Sequence, residues 1–440
     1  MEKSNIHEKI KLLTGSGMWH TQEVEDLPSV HLSDGPHGLR KQEEKERQNN
    51  VSLVSTCYPT ASALACSWDV TAAERLGRAV AKEAWNADVA VLLGPGINMK
   101  RSPLCGRNFE YFSEDPFLAG RLGAAYVSAA QGEDVAVSLK HFAANNQETN
   151  RQTSNSQIDE RALREIYLSA FEYVVKTARP ATIMASYNRL NGYYACENRH
   201  LLTEILREEW GFDGVVISDW GACADLAKAV KAGMDLEMPD SHGIHARKLK
   251  AALKAGEISE GDIAKAAGRI EKLVKKYAPD NRAKKDTSDA HEIAKQLACE
   301  SAVLLKNDGV LPLDTSKKIA FVGPYTNNRE IKSSWSFTGD SKDCVTIQEA
   351  AEKVFDASRT TYAEGCPVIG NDVELIGFTE TTPKKYSEEE LAAMEQSALQ
   401  AAKEADLVVM PMGEHYLQSG EATSRAMIDV PEIQMELFRK

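Results

Sequence analysis

Gly214-Val-Val-Ile-Ser-Asp-Trp220 sets Val215, Val216 and Ile217 in an unbroken apolar run and ends it on a carboxylate beside an indole. A short apolar run without alternation reads as a strand buried on both faces, the kind found in parallel sheets. Similar runs lie upstream at Val89-Ala-Val-Leu-Leu93, Val135-Ala-Val-Ser-Leu139 and Ala181-Thr-Ile-Met-Ala185. Between them, stretches near 71–87, 117–131, 159–177, 200–210, 222–232 and 246–255 carry apolar residues at helical spacing. In 159–177 the shared face is Ala162, Leu163, Ile166, Tyr167, Ala170, Phe171 and Val174. Strand–helix alternation indicates a parallel α/β sheet. On pattern alone a TIM-like barrel and an open doubly wound sheet both fit. Several of the runs end in polar groups: Lys140-His141, Ser186-Tyr-Asn188 and Ser218-Asp-Trp220. Polar side chains converging from several strand ends favour the barrel, because a doubly wound sheet places its site at one switch point.

Past the barrel pattern, residues 278–289 are polar and aperiodic and are expected to form a linker. The expected organisation is a barrel over 1–277, this linker, and an α/β sandwich domain over 290–440. Helices are expected at 290–305, 387–405 and 432–440. Ile319-Ala-Phe-Val-Gly323 and Leu407-Val-Val-Met410 read as its strands. The chain has 440 residues, 42% of them hydrophobic and 27% charged, which fits globular domains. A net charge of −13 argues against nucleic acid or an anionic membrane surface as partner. The first ten residues hold no apolar core of the kind a signal peptide needs. No stretch reaches the ~18 apolar residues of a membrane span. The eight cysteines are scattered without a Cys-x-x-Cys pair. Reduced thiols and a cytoplasmic location are therefore expected.

Singly, the candidate functional residues are ambiguous. Asp219 fits a nucleophilic carboxylate beside an aromatic platform, and equally a cap for the following helix. Lys140 and His141 can donate to sugar hydroxyls, although a packed histidine and a snorkelling lysine are the simpler reading. Asp34, in Ser33-Asp-Gly-Pro-His-Gly38, is by default a turn-stabilising residue of a loop. Arg107 and Arg151 are undecided. Gly94-Pro-Gly96 lacks a third glycine and the context of a dinucleotide site. There is no Walker-type loop, His-Glu-x-x-His, Gly-x-Ser-x-Gly elbow or zinc-site spacing. No metal and no cofactor are expected.

Five runs in order change the weighting: Ser33-Asp-Gly-Pro-His-Gly-Leu-Arg40, Asn98-Met-Lys-Arg-Ser-Pro-Leu-Cys-Gly-Arg-Asn-Phe-Glu-Tyr-Phe-Ser-Glu-Asp-Pro116, Ser138-Leu-Lys-His-Phe-Ala-Ala-Asn-Asn-Gln-Glu-Thr-Asn-Arg151, Ala185-Ser-Tyr-Asn188 and Gly214–Trp220. Together they resemble glycoside hydrolase family 3, across nearly the whole chain. The resemblance implies a TIM-like barrel followed by an α/β sandwich, and a retaining β-glycosidase cleaving terminal β-D-glucosyl residues. It implies that Asp219 is the nucleophile and that Asp34, Arg107, Lys140, His141, Arg151, Tyr187 and Trp220 line the sugar subsite. An Asp at the position of Asp34 typically grips the C4 and C6 hydroxyls, which favours glucosides over xylosides.

In this family the acid/base comes from a variable loop of the second domain. Gly413-Glu-His-Tyr-Leu-Gln-Ser-Gly-Glu-Ala-Thr-Ser-Arg425 resembles that loop, and Glu421 is preferred over Glu414 as the acid/base. Ser336, in Ser333-Ser-Trp-Ser-Phe-Thr-Gly-Asp340, resembles a further contact. Two departures stand out. The aminosugar-cleaving members carry Lys-His-Phe-Pro-Gly where this chain has Lys-His-Phe-Ala-Ala-Asn-Asn, which argues against that branch. The family's sandwich also continues well past the acid/base loop, whereas about 19 residues follow Glu421 here. The sandwich is therefore expected to be incomplete, with a second polypeptide or a second copy completing it, or the chain to be an inactive sugar-binding fragment. Among enzymes, a β-xylosidase is the nearest alternative.

Overall fold

The computed structural model describes residues 6–42, 52–279, 282–330, 341–373 and 383–440. Their contacts form two compact units dividing at Ala302/Val303.

The first unit is the barrel. Gly15–Ser16 and His20–Thr21 form an antiparallel hairpin that leads into His31–Asp34. From there Val89–Leu93, Ala136–Phe142, Thr182–Ala185 and Val215–Ser218 add in parallel, each beside its predecessor. The ring closes through a segment too short to count as a strand. Leu236 bridges Ile217 and Glu237 bridges Thr14, both in parallel. The Gly15 N–H donates to the Glu237 carbonyl and the Glu237 N–H to the Leu13 carbonyl, both at 2.9 Å. Seven strands and this segment make eight staves. Every residue of Val89–Leu93 and Val215–Ser218 is buried, the property that made them legible as central strands.

The helices are set by local chemistry. Asp69 accepts the Thr71 N–H at 2.8 Å and starts Val70–Asn86. Asp115 caps Pro116–Gln131, which has proline in its first turn. Ser259 and Asp262 form a reciprocal capping box for Glu260–Tyr277. Gly77 lets the first two of these helices meet, since a Cβ there would lie 2.5 Å from the Tyr126 carbonyl oxygen.

Four local expectations need correction. Residues 159–177 are not one regular helix: a π-helical turn, Leu163–Tyr167, separates Glu160–Ala162 from Ser169–Ala178. The wider turn rotates Ile166 off the apolar face, leaving it 39% exposed. Asp34 is not a loop residue but ends the strand His31–Asp34, which is too short and too polar to show a period. The segment expected as a free linker lies along the barrel. Trp85 Nε1 donates to the Ala283 carbonyl at 2.8 Å, Arg282 stacks on the Trp85 ring and Lys285 pairs with Glu133 at 2.7 Å. The helix expected over 290–305 spans Ala290–Glu300 and buries Ala290 and Leu297 in the barrel unit's core, so it belongs with 1–277 rather than with the second domain.

The second unit is α/β. Ile319–Val322 sits between Thr360–Ala363 and Leu407–Val409, all parallel. Glu388–Glu404, started by a Ser387/Glu390 capping box, and Glu432–Arg439 supply Ala398, Ala401 and Leu437 to its core. Among the described residues no helix is long and apolar enough to cross a membrane.

Candidate functional site

The C-terminal ends of the barrel strands carry the candidate residues. Asp219 follows Val215–Ser218, and its N–H donates to the Ala185 carbonyl at 2.9 Å, so the neighbouring strand fixes its backbone. Its Oδ1 accepts the Trp220 N–H at 2.8 Å, and its Oδ2 lies 3.8 Å from His141 Nε2. The Asp219 side chain is 8% exposed.

Lys140 and His141 lie in Ala136–Phe142. Lys140 Nζ is 3.4 Å from Glu110 Oε2, and Arg107 Nε donates to Glu110 Oε1 at 2.5 Å. One buried carboxylate thus holds two cations, with Arg107 and Glu110 presented by the 3-10 helix Gly106–Glu110. Arg151 Nη1 donates to Glu148 at 2.9 Å, and its guanidinium covers the Tyr187 ring 4.2 Å from the centroid. The Tyr187 hydroxyl donates to the Trp220 carbonyl at 3.1 Å. Trp220 donates Nε1–H to the Met18 carbonyl at 2.9 Å and packs against Trp19, ring centroids 5.3 Å apart. Asp34 holds Arg40 at 3.3 Å. Asp34, Arg107, Lys140, His141, Arg151, Tyr187, Asp219 and Trp220 therefore gather at one end of the barrel.

Their electrostatics are nearly self-compensating. Asp34, Glu110, Glu148 and Asp219 face Arg40, Arg107, Lys140 and Arg151. Burial, reinforced by the Arg107, Lys140 and Arg151 charges, holds His141 well below the ordinary imidazole range, so its ring is neutral. A surface of buried carboxylates and fixed N–H donors, with indole at its rim, suits a polyhydroxylated neutral ligand. The carboxylates accept from hydroxyls, the cations donate to them, and an aromatic face covers ring C–H groups.

Some participants were not singled out from sequence. Glu110 and Glu148 stand three residues from Arg107 and Arg151, a spacing visible in the chain. Asn98 clamps the His141 backbone at both polar groups, accepting its N–H at 2.7 Å and donating to its carbonyl at 2.9 Å. Tyr111 places its hydroxyl 3.0 Å from His141 Nδ1. Only the fold could show these last two contacts. It also collects Cys223, Glu237 and His245, whose donor atoms all lie within 4.8 Å of one another and whose sequence spacing signals nothing. His245 Nδ1 and Glu237 Oε1 already hydrogen-bond each other, so this group is a part-buried hydrogen-bonded pair beside a thiol.

In the second unit, Glu421 is half-buried in the loop after the 3-10 helix Tyr416–Gln418. It stands between Gly420 and Ala422, both at positive φ (155° and 58°), which holds the loop in a tight turn there. Glu414 differs: its carboxylate pairs with Arg425, and its carbonyl accepts the Tyr325 hydroxyl. Ser336 lies outside the described residues.

Residues 36–273 match the model of the glycosyl hydrolase family 3 N terminal domain, and 302–440 that of its C-terminal domain. The chain is 42% identical to thermostable beta-glucosidase B of Acetivibrio thermocellus, over 100% of its own length and 57% of that protein's. It is 39% identical to an exo-alpha-(1->6)-L-arabinopyranosidase of Bifidobacterium longum, over 99% of itself and 57% of the relative. A crystal structure of a Bifidobacterium adolescentis beta-glucosidase superposes with a TM-score of 0.87 at 38% identity, covering 100% of this chain and 61% of the other. The chain thus spans about three-fifths of the length of these relatives.

Proposed function

The chain belongs to glycosyl hydrolase family 3, and from that premise we propose that it carries the nucleophile and the acid/base of a retaining β-glycosidase that releases terminal non-reducing β-D-glucosyl residues. The observation that carries the reading is the Asp219 carboxylate: Oδ1 is held by the Trp220 N–H, and Oδ2 faces His141, a ring that also feels the Arg107, Lys140 and Arg151 charges.

In the first step an Asp219 oxygen attacks the anomeric carbon as the glycosidic C–O bond breaks. Glu421 gives its proton to the departing oxygen, leaving a glycosyl ester on Asp219 and a carboxylate at Glu421. In the second step Glu421 takes a proton from water, whose oxygen attacks the same carbon and releases Asp219. Two inversions give retention. Asp34, Arg107, Lys140, Arg151 and Tyr187 hold the hydroxyls and Trp220 the ring face. Ser336 is assigned a further substrate contact, and Glu414 is left as the partner of Arg425.

Asp219→Ala is expected to lower turnover of an aryl β-glucoside by several orders of magnitude, and retained wild-type turnover sinks the assignment. Azide restores Glu421→Ala with a good leaving group; rescue of Glu414→Ala instead reverses the choice between the two glutamates. The similarity to a protein named an arabinopyranosidase makes α-L-arabinopyranoside, with β-xyloside, a necessary member of the substrate panel. Completion of the second unit by another polypeptide or a second copy is part of the proposal. Its support is that Thr360–Ala363 and Leu407–Val409 are outer strands among the described residues. A mass in solution equal to one chain, with full activity, contradicts it.

A further inference from the structure

We propose that Tyr111 is a positioning residue: its hydroxyl donates to Nδ1 of His141 and so selects the ring tautomer whose Nε2–H faces Asp219. This rests on the reading of Asp219 as the nucleophile.

The geometry supplies the argument. Tyr111 OH and His141 Nδ1 are 3.0 Å apart, and the two rings meet edge to face with centroids 5.9 Å apart. Neither partner can drift. The Tyr111 backbone bridges Gly96, and the Gly96 Cα leaves room for no side chain against the phenol, since a Cβ would lie 2.8 Å from Tyr111 Cδ1. The His141 backbone is held at N–H and C=O by Asn98. On the far side of the imidazole, Nε2 is 3.8 Å from Asp219 Oδ2 and has no hydrogen-bond partner among the described residues.

A neutral imidazole carries one ring proton, and the partner of one nitrogen decides where it sits. Burial keeps the Tyr111 hydroxyl protonated by pushing it well above the ordinary phenol range, and it keeps His141 neutral. With Tyr111 as donor, Nδ1 is the acceptor and Nε2 carries the proton. That N–H points at the carboxylate and is available to a sugar hydroxyl placed between them. The opposite tautomer would set the Nε2 lone pair against the Asp219 oxygen, which is repulsive in a buried site. The ring then supplies a fixed donor beside the reacting carboxylate while transferring no proton.

The direct test is histidine-ring nitrogen NMR on the full-length protein, with the His141 signals identified by their loss in His141→Asn and by their shift on adding an iminosugar. Wild type is expected to show an unprotonated, hydrogen-bonded Nδ1 and a protonated Nε2. Tyr111→Phe is expected to move the ring toward mixed tautomers and to lower kcat/KM on an aryl β-glucoside by about 10- to 100-fold, the scale of one hydrogen bond to a charged or buried polar partner. A protonated Nδ1 in wild type overturns the proposal. So does a Tyr111→Phe protein whose stability falls while the His141 tautomer and kcat/KM stay unchanged, the outcome of a merely structural role. If wild type cleaves no glycoside, the proposed activity fails, while the ring spectrum still decides the tautomer.

Discussion

Glu110→Gln isolates the electrostatic design of the barrel site. Glu110 is 2% exposed and is shared by Arg107 at 2.5 Å and Lys140 at 3.4 Å. The amide has nearly the same shape and can still accept the Arg107 N–H through its oxygen. What it removes is the charge, leaving two buried cations without their common counter-ion. Deleting one partner of a buried ion pair costs ~3–5 kcal/mol, much of it the cost of the charge left behind. Because the amide preserves one hydrogen bond, the lower end, ~3 kcal/mol, is expected. Urea unfolding followed by tryptophan fluorescence reads this as a drop in the extrapolated stability of the barrel transition at nearly constant m-value. Activity falls as well, since both cations lose the group that aims them. A Glu110→Gln protein within ~0.5 kcal/mol of wild type, the range of ordinary surface substitutions, would refute the claim that one carboxylate holds both cations.

Three further outcomes follow from single contacts. Burial lowers the His37 pKa to about 4 from the ordinary 6.5. Its contribution is therefore complete above pH 6.5 and is lost as the pH falls toward 4, at ~1.4 kcal/mol per pH unit. Comparing urea unfolding of His37→Gln and wild type at pH 6.5, 5.5 and 4.5 should show the slope reduced by that amount; parallel slopes would contradict it. Gly96→Ala drives a methyl into the Tyr111 ring, 2.8 and 2.9 Å from two ring carbons, and is expected to cost ~1–3 kcal/mol together with activity, read by thermal unfolding and by turnover. Arg151→Lys removes the flat cation over Tyr187 and the fork toward Glu148, so kcat/KM is expected to fall ~10-fold, carried by KM.

The barrel was legible because its central strands are buried on both faces. Val89–Leu93 and Val215–Ile217 are apolar throughout, and in the second of these strands polar groups begin at its last residue, Ser218. His31–Asp34 was illegible for the opposite reason: three of its four residues are polar, and it runs straight into a Gly-Pro turn. The closing stave could not be read either, because it is held by single bridges at Leu236 and Glu237 rather than by a run of apolar residues. Helix periodicity failed at Ile166 because a π-helical turn is invisible to a 3.6-residue template. Among the site residues, Asp219 with Lys140 and His141 stood out by position, whereas Asn98 and Tyr111 act across 43 and 30 residues of chain, a relation that one sequence cannot display. Glu110 and Glu148 were within reach, since an acid three residues from an arginine is a local pattern.

The central claim is that Asp219 bonds covalently to the sugar. A 2-deoxy-2-fluoroglucoside with a good leaving group slows both steps, and the leaving group keeps the first step the faster one, so the ester accumulates. Intact mass followed by peptide mapping is expected to show one fluoroglucosyl adduct, located on Asp219 in the peptide spanning Gly214–Trp220. The same adduct on any other carboxylate, or steady turnover of the fluoroglucoside with no adduct, would contradict the account.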